Sequence, residues 1–101
     1  MTHSINIYKK YYSEIMNIQS KESVYYNLIK TVSDTLTCYG VEIILKNSLD
    51  QLDTVKLEGI SESKIFVLEI IKFLYENSIK PNSALAIVSD LISEQEYVLV
   101  K

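Results

Sequence analysis

The sequence predicts an all-α protein: a single-domain bundle of four to five helices with short connections. Apolar residues recur with the period of a helix along most of the chain, and this period fits better than strand alternation nearly throughout. The chain is 48% hydrophobic and contains only two glycines and one proline, which is the composition of a compact globular protein. Its 101 residues are the size of one domain, so we expect residues 1–101 to share one core.

The first two predicted helices cover the tyrosine-rich start of the chain. Ser4 can cap the first, whose apolar face contains Tyr8, Tyr12, Ile15 and Met16. The second begins after Ser20. Its apolar residues occupy an arc of about 140°: Val24, Tyr25, Leu28, Ile29, Val32, Leu36 and Tyr39. Tyr26 falls outside that arc.

The segment from residue 39 to residue 60 has two interpretations. It is rich in β-branched residues, as the strands of a hairpin are. Its apolar residues also fall on one helical arc of about 140°: Val41, Ile44, Leu45, Leu49, Leu52 and Val55. Gly40 and Gly59 lie just past the ends of the second and third periodic runs, where helices often end in glycine. These glycines favour a third helix over the hairpin.

The fourth predicted helix covers about residues 62–77 and is the central element of the bundle. Its apolar residues point nearly all round, so the bundle or a second copy of the chain must cover it. Pro81 ends this helix because proline disfavours helical geometry in the residue before it. A fifth helix follows. After Ser93 two alternatives stay open: a last turn opened by a capping box of Ser93 and Glu96, or a short extended tail at residues 97–99.

Charge is distributed unevenly along the chain. Residues 1–30 carry four lysines against two carboxylates, and residues 31–101 carry six lysines against eleven, for a net charge of -3. The acidic part repels phosphate, and the chain has no arginine, the usual bidentate reader of phosphates and guanines. We therefore expect no nucleic acid partner.

Membrane and secretion signals are missing from the sequence. No apolar run approaches the roughly 20 residues of a membrane span, and the N-terminus lacks the pattern of a signal peptide. Cys38 is the only cysteine, which excludes an internal disulfide and suits a reducing compartment. We expect a cytoplasmic protein with no membrane partner.

Groups that catalyse reactions or hold metals are scarce. His3 is the only histidine, and a dyad with Cys38 would have to join that cysteine to the chain terminus. Asp50 and Asp53 are three residues apart, but four-ligand zinc sites and diiron bundles also need histidine or cysteine nearby. The sequence therefore predicts no enzyme, no catalytic residues, no metal site and no cofactor.

Two surfaces are candidates for binding a protein. The first holds three tyrosines at or beyond the edges of apolar arcs, near several lysines: Tyr11, Tyr25 and Tyr26. The second is the outer face of the predicted third helix, where carboxylates can steer a basic partner: Glu42, Asp50 and Asp53. We predict these six as partner-binding residues. The alternatives are tyrosines packed against neighbouring helices and an acidic face that is merely solvated.

Residues 79–88, with the sequence IKPNSALAIV, combine a proline break with a late amphipathic helix and are similar to a feature of some bacteriocin immunity bundles. In size, acidity and its lysine-, isoleucine-, asparagine- and tyrosine-rich composition, the chain also resembles the immunity proteins of contact-dependent inhibition systems. The resemblance implies a non-catalytic protein that neutralises a cognate bacterial toxin, expected to be a cationic nuclease, in a stoichiometric complex. The alternative is a helical regulatory or structural module that acts as a homodimer or as a phage-encoded inhibitor.

Overall fold

The computed structural model describes the backbone of residues 1–12 and 21–100 and the side chains of residues 1–11 and 21–93. Four strands precede two helices: β1 (Thr2–Tyr12), β2 (Glu22–Val32), β3 (Thr37–Lys46), β4 (Leu52–Ser61), α1 (Lys64–Glu76) and α2 (Pro81–Val100). The strands form an antiparallel sheet in the order β1-β2-β3-β4, so each strand pairs with its neighbour in sequence. The predicted all-α helical bundle is wrong, and the fold is α+β.

The first two predicted helices are strands β1 and β2. In β2, Val24, Tyr26 and Leu28 point towards the helices, whereas Tyr25 and Ile29 point to the other face. Because both faces carry apolar residues, the segment lacks apolar–polar alternation and its residues also fit a helical arc. The predicted first helix extends into residues 13–20, which lie outside the described part of the chain.

Residues 39–60 contain the hairpin of β3 and β4, so the predicted third helix is wrong. Asn47 organises the turn, since its side-chain oxygen accepts hydrogen bonds of 2.9 Å from the backbone amides of Leu49 and Gln51. Asp50 completes the turn with a φ of 61°. Asparagine and aspartate tolerate such turn geometry better than most residues, which explains why the chain reverses here.

The two glycines shape the β3–β4 pair and do not cap helices. A Cβ atom at Gly40 would collide with the backbone of Leu57 and Glu58 in β4, so this close approach requires glycine. Gly59 has a φ of 66° and lies where the register between the two strands shifts. Such a shift is a β-bulge, in which glycine commonly adopts the left-handed conformation.

The prediction of two late helices is confirmed. The helix expected at about residues 62–77 is α1, and Ser63 caps it by accepting a hydrogen bond from the amide of Phe66 at 3.2 Å. Pro81 begins α2, at a position where its missing N–H costs nothing. This helix runs without a break through Val100, so both alternatives after Ser93 are wrong: neither a new turn that begins at Ser93 nor an extended tail at residues 97–99 is present.

Both helices pack on one face of the sheet. The core combines strand residues with helix residues: Val24, Tyr26, Leu28, Val41, Ile43, Val67, Ile70, Ile71, Leu74, Ala84 and Val88. We call the opposite face of the sheet the open face, and it carries Asn6, Lys9, Tyr11, Tyr25, Asn27, Glu42, Ile44 and Lys56.

Helix α1 is a covering element, not the centre of a bundle, and its Ile65 and Phe73 are exposed. Among the described residues, neither helix is long and apolar enough to cross a membrane.

Candidate functional site

A row of polar side chains crosses all four strands in the middle of the open face. The Asn6 amide donates a 2.8 Å hydrogen bond to the side-chain oxygen of Asn27. The Asn27 amide in turn donates to Oε1 of Glu42 at 2.9 Å, and the Ser4 hydroxyl donates to the same oxygen at 2.8 Å. The other carboxylate oxygen of Glu42 lies 3.6 Å from Nζ of Lys56. We call these five residues the polar row.

Glu42 is the central member of the polar row and is only 6% exposed. Burial acts to raise its pKa, but hydrogen bonds from Asn27 and Ser4 and the charge of Lys56 outweigh burial, so the pKa is lowered. A carboxylate with a lowered pKa and occupied hydrogen-bond positions is a weak base. The polar row is therefore better suited to fixing the open face than to transferring protons.

Two tyrosines surround one lysine beside the polar row. Nζ of Lys9 lies 4.6 Å from the ring centroid of Tyr11 and 4.8 Å from that of Tyr25, both within cation–π range. The strand register places Lys9 opposite Tyr25, while Tyr11 is two residues along β1 and therefore on the same face. Side-chain hydrogen bonding with Tyr11, and next with Tyr25, raises the pKa of Lys9. We call Lys9, Tyr11 and Tyr25 the tyrosine–lysine patch.

The tyrosine–lysine patch borders a cavity of about 430 Å³ at the end of the sheet where β1 ends and β2 begins. Its wall includes three lysines and two carboxylates: Lys9, Lys21, Lys46, Glu22 and Asp50. Glu22 forms an ion pair of 3.1 Å with Lys80, and Asp50 forms one of 3.3 Å with Lys46. Both acids of the wall are thus already neutralised by lysines.

Three of the six predicted partner-binding residues lie together around the cavity at the end of the open face. Tyr11 is 69% exposed and Tyr25 is half-buried, and both belong to the tyrosine–lysine patch. Asp50 lines the cavity next to them. Glu42 is on the same face, but its burial in the polar row leaves little of it for a partner to contact.

The other two predicted residues lie elsewhere. Tyr26 is fully buried in the core, where its hydroxyl donates a 2.9 Å hydrogen bond to the carbonyl of Ile79. Asp53 is exposed, but it pairs with Leu45, whose side chain packs towards the helices, and so it is not on the open face. The acidic outer face of a third helix, expected to hold Glu42, Asp50 and Asp53, does not exist in this fold.

Sequence reasoning missed four members of the polar row: Ser4, Asn6, Asn27 and Lys56. A signal was available, because Asn27 interrupts one dense apolar run and Glu42 interrupts the next. A polar residue in the middle of an apolar strand needs a partner, and adjacent strands can supply it. The signal has meaning only once both runs are recognised as neighbouring strands.

A second cavity, of about 320 Å³, lies between the two helices on the other side of the molecule. It is lined mainly by apolar side chains: Phe73, Ile79, Ile87 and Leu91, with Asn77 and Asp90. Within the described residues, no group of three or more histidine, cysteine or acidic side chains could hold a metal ion.

A four-stranded antiparallel sheet covered on one face by two helices, with an aromatic and polar open face, defines a two-layer α+β protein. The chain belongs to the family of unknown function DUF6514, whose model matches residues 6–94. No curated protein and no solved structure matches the chain.

Proposed function

We propose that the protein is a non-catalytic binding domain that neutralises a cognate bacterial toxin in a stoichiometric complex, with the tyrosine–lysine patch at its contact surface. The observation that carries this proposal is the placement of Tyr11 and Tyr25 around Lys9 on the open face. Tyrosine is enriched in protein interfaces because its ring offers a large contact area and its hydroxyl can bond to a partner or to water. The proposed location is the cytoplasm.

The neighbours of the patch support this role. Tyr25 pairs with Ile44 across β2 and β3, and Ile44 is half-buried on the open face, so an apolar contact continues beyond the two rings. Interface residues that contribute most to affinity are typically aromatic side chains that pack against such apolar neighbours. The patch therefore combines apolar area with a positive charge.

The polar row supports the same role by fixing the surface. Its hydrogen bonds link β1, β2 and β3, and the ion pair of Glu42 with Lys56 extends the row to β4. A surface that is already ordered loses less conformational entropy when a partner binds. The row thus preorganises the sheet on which Tyr25 and Lys9 lie.

Co-expression with the toxin encoded beside the gene tests the proposal. We expect a one-to-one complex and rescue of growth, and the double variant Tyr11→Ala with Tyr25→Ala should lose both while remaining folded. The matched control is Ile65→Ala with Leu85→Ala, which removes two exposed apolar side chains from the helices and should leave rescue intact. Absence of a complex with the wild-type protein would contradict the toxin proposal.

The second candidate function is a regulatory or structural module that dimerises through α1. Ile65, which is 72% exposed, and Phe73, which is 41% exposed, favour this alternative because both are large apolar residues on one helix. It predicts a dimer at micromolar concentration that Ile65→Ser with Phe73→Ser dissociates. A monomer in sedimentation equilibrium would contradict it.

A further inference from the structure

We infer that the cavity beside the tyrosine–lysine patch binds an acidic segment of the protein partner, in which a carboxylate side chain lies next to an apolar or aromatic one. This inference rests on the proposed binding function and specifies the chemistry of the contact. It differs from the sequence expectation, which assigned the acidic side of the complex to this chain.

The charges of the cavity wall carry the inference. Glu22 and Asp50 are occupied by ion pairs with Lys80 and Lys46. Among the residues that the structure describes, Lys9 and Lys21 have no carboxylate partner within ion-pair distance. The wall therefore has positive charge that its own acids do not neutralise, and a carboxylate is the group that complements it.

The aromatic side of the cavity determines what should flank that carboxylate. Tyr11 and Tyr25 both lie close to the Lys9 ammonium, so a group that reaches Lys9 also reaches the two rings. An apolar or aromatic side chain next to the carboxylate would pack on those rings while the carboxylate bonds to the ammonium. The volume of about 430 Å³ is sufficient for a few side chains.

A peptide segment fits the charge distribution better than a nucleic acid strand. The chain has a net charge of -3, so a polyanion that extends beyond the cavity is repelled by the rest of the surface. A single carboxylate depends only on nearby charges, because salt screens interactions beyond about 8 Å at physiological ionic strength. Local lysines can therefore bind an acidic side chain on a protein that is acidic overall.

The test is selection of a random peptide library, displayed on phage, against three forms of the full chain. These are the wild-type protein, the variant Lys9→Glu with Lys21→Glu, and the control variant Lys64→Glu with Lys72→Glu. The control makes the same change in net charge on exposed helix positions. Circular dichroism and urea unfolding confirm that all three forms are folded before selection.

We expect peptides retained by the wild-type and control proteins, but lost from the Lys9→Glu, Lys21→Glu variant, to be enriched in Asp or Glu next to Phe, Tyr, Trp or Leu. Synthetic copies should bind the cavity variant at least about tenfold more weakly, because Lys→Glu places like charges opposite the peptide carboxylate. Selected peptides that are basic, or that do not distinguish the variants, would overturn the inference. If an oligothymidine of the same charge as a selected peptide displaces that peptide at a lower concentration than the free peptide does, the cavity is a nucleic acid site instead.

The outcomes also separate this inference from the proposed function. If Tyr11→Ala with Tyr25→Ala prevents toxin neutralisation while cavity-specific peptides are not acidic, the patch is a contact surface and the inferred chemistry is wrong. If acidic peptides are selected but no toxin complex forms, the cavity chemistry is right and the toxin is not its partner.

Discussion

The ammonium group of Lys10 in β1 donates a 2.6 Å hydrogen bond to the backbone carbonyl of Tyr75, in the last turn of α1. It also bonds to the hydroxyl of Ser78 at 2.8 Å and lies 4.6 Å from the centroid of the Tyr75 ring. That ring stacks on Tyr8 with 4.4 Å between centroids. Carbonyls at a helix C-terminus lack intrahelical donors, and a cation there is favourable. Lys10 therefore connects an edge strand to the helical layer.

Replacement of Lys10 by methionine should lower the free energy of unfolding by about 1–2 kcal/mol, because a charged hydrogen bond is lost while the apolar stem is kept. Urea unfolding measures the change. The control Lys72→Met, at an exposed position on α1, should shift stability by less than about 0.5 kcal/mol. Equal effects of the two substitutions would mean that the Lys10 contact contributes nothing in solution.

Stability should depend on the ionisation of Glu42. Because folding lowers the pKa of this carboxyl, its contribution is fully present above the pKa of the unfolded chain and is lost as pH falls through the folded value. Glu42→Gln should cost about 1–3 kcal/mol near neutral pH, where it loses charged hydrogen bonds from Asn27 and Ser4. The cost should shrink as the pH is lowered from about 5, above the ordinary glutamate pKa, towards the lowered folded-state value.

Urea unfolding of both proteins across this pH range checks the prediction. The matched control is Glu58→Gln, an exposed carboxylate on β4, which should change stability little at any pH in the range. A cost of Glu42→Gln that is the same at both ends of the range would show that ionisation of this carboxyl does not contribute to folding.

The late helices were predictable because their signals are local. Ser63 accepts a hydrogen bond from an amide three residues away, and Pro81 fixes its own φ without help from the rest of the fold. The buried residues of α1 and α2 keep the helical period because they lie on one face of each helix. Nothing distant in sequence is required to recognise either element.

The strands were not predictable in this way because both faces of the central ones are partly apolar. Tyr25 and Ile29 on the open face add to Val24 and Leu28 on the helix face, and the four together match a helical arc. Propensity favours β structure in this segment but is easily outweighed by pattern. Asn27 does not separate the two folds by itself, because its partner Glu42 is distant in sequence and lies opposite it only when the two segments pair as strands.

The same limit applies to the candidate site. The sequence indicates Tyr11 and Tyr25 as edge residues of helical arcs. The structure places them together for another reason, the antiparallel register that sets Lys9 opposite Tyr25. Register also separates Asp53 from Glu42, which lie on different faces of the sheet. Residue type indicated the tyrosines, but only strand pairing determines which of them share a surface.

The two glycines should respond differently to substitution. At Gly40 any side chain meets the backbone of Leu57 and Glu58, so Gly40→Ala should cost about 1–3 kcal/mol and Gly40→Asn more. At Gly59 there is open space but φ is 66°, so Gly59→Ala should cost about 1–2 kcal/mol and Gly59→Asn less, since asparagine tolerates this conformation. Thermal unfolding of the four variants measures whether alanine or asparagine is the more stable substitution at each glycine. If Gly40→Asn also costs less stability than Gly40→Ala, the result contradicts the close approach of β3 and β4 at Gly40.

Adjacent tyrosines in β2 provide the most direct test of the fold. Tyr26→Phe removes the 2.9 Å hydrogen bond to the carbonyl of Ile79 and should lower the free energy of unfolding by about 0.5–1.5 kcal/mol. Tyr25→Phe, on the open face, should change it by less than about 0.5 kcal/mol. The two substitutions are chemically identical, so a difference between them reports only on the environment. Urea unfolding measures both. Equal values would contradict the assignment of Tyr25 and Tyr26 to opposite faces of one strand, and a larger cost at Tyr25 would place its hydroxyl, not that of Tyr26, in the core.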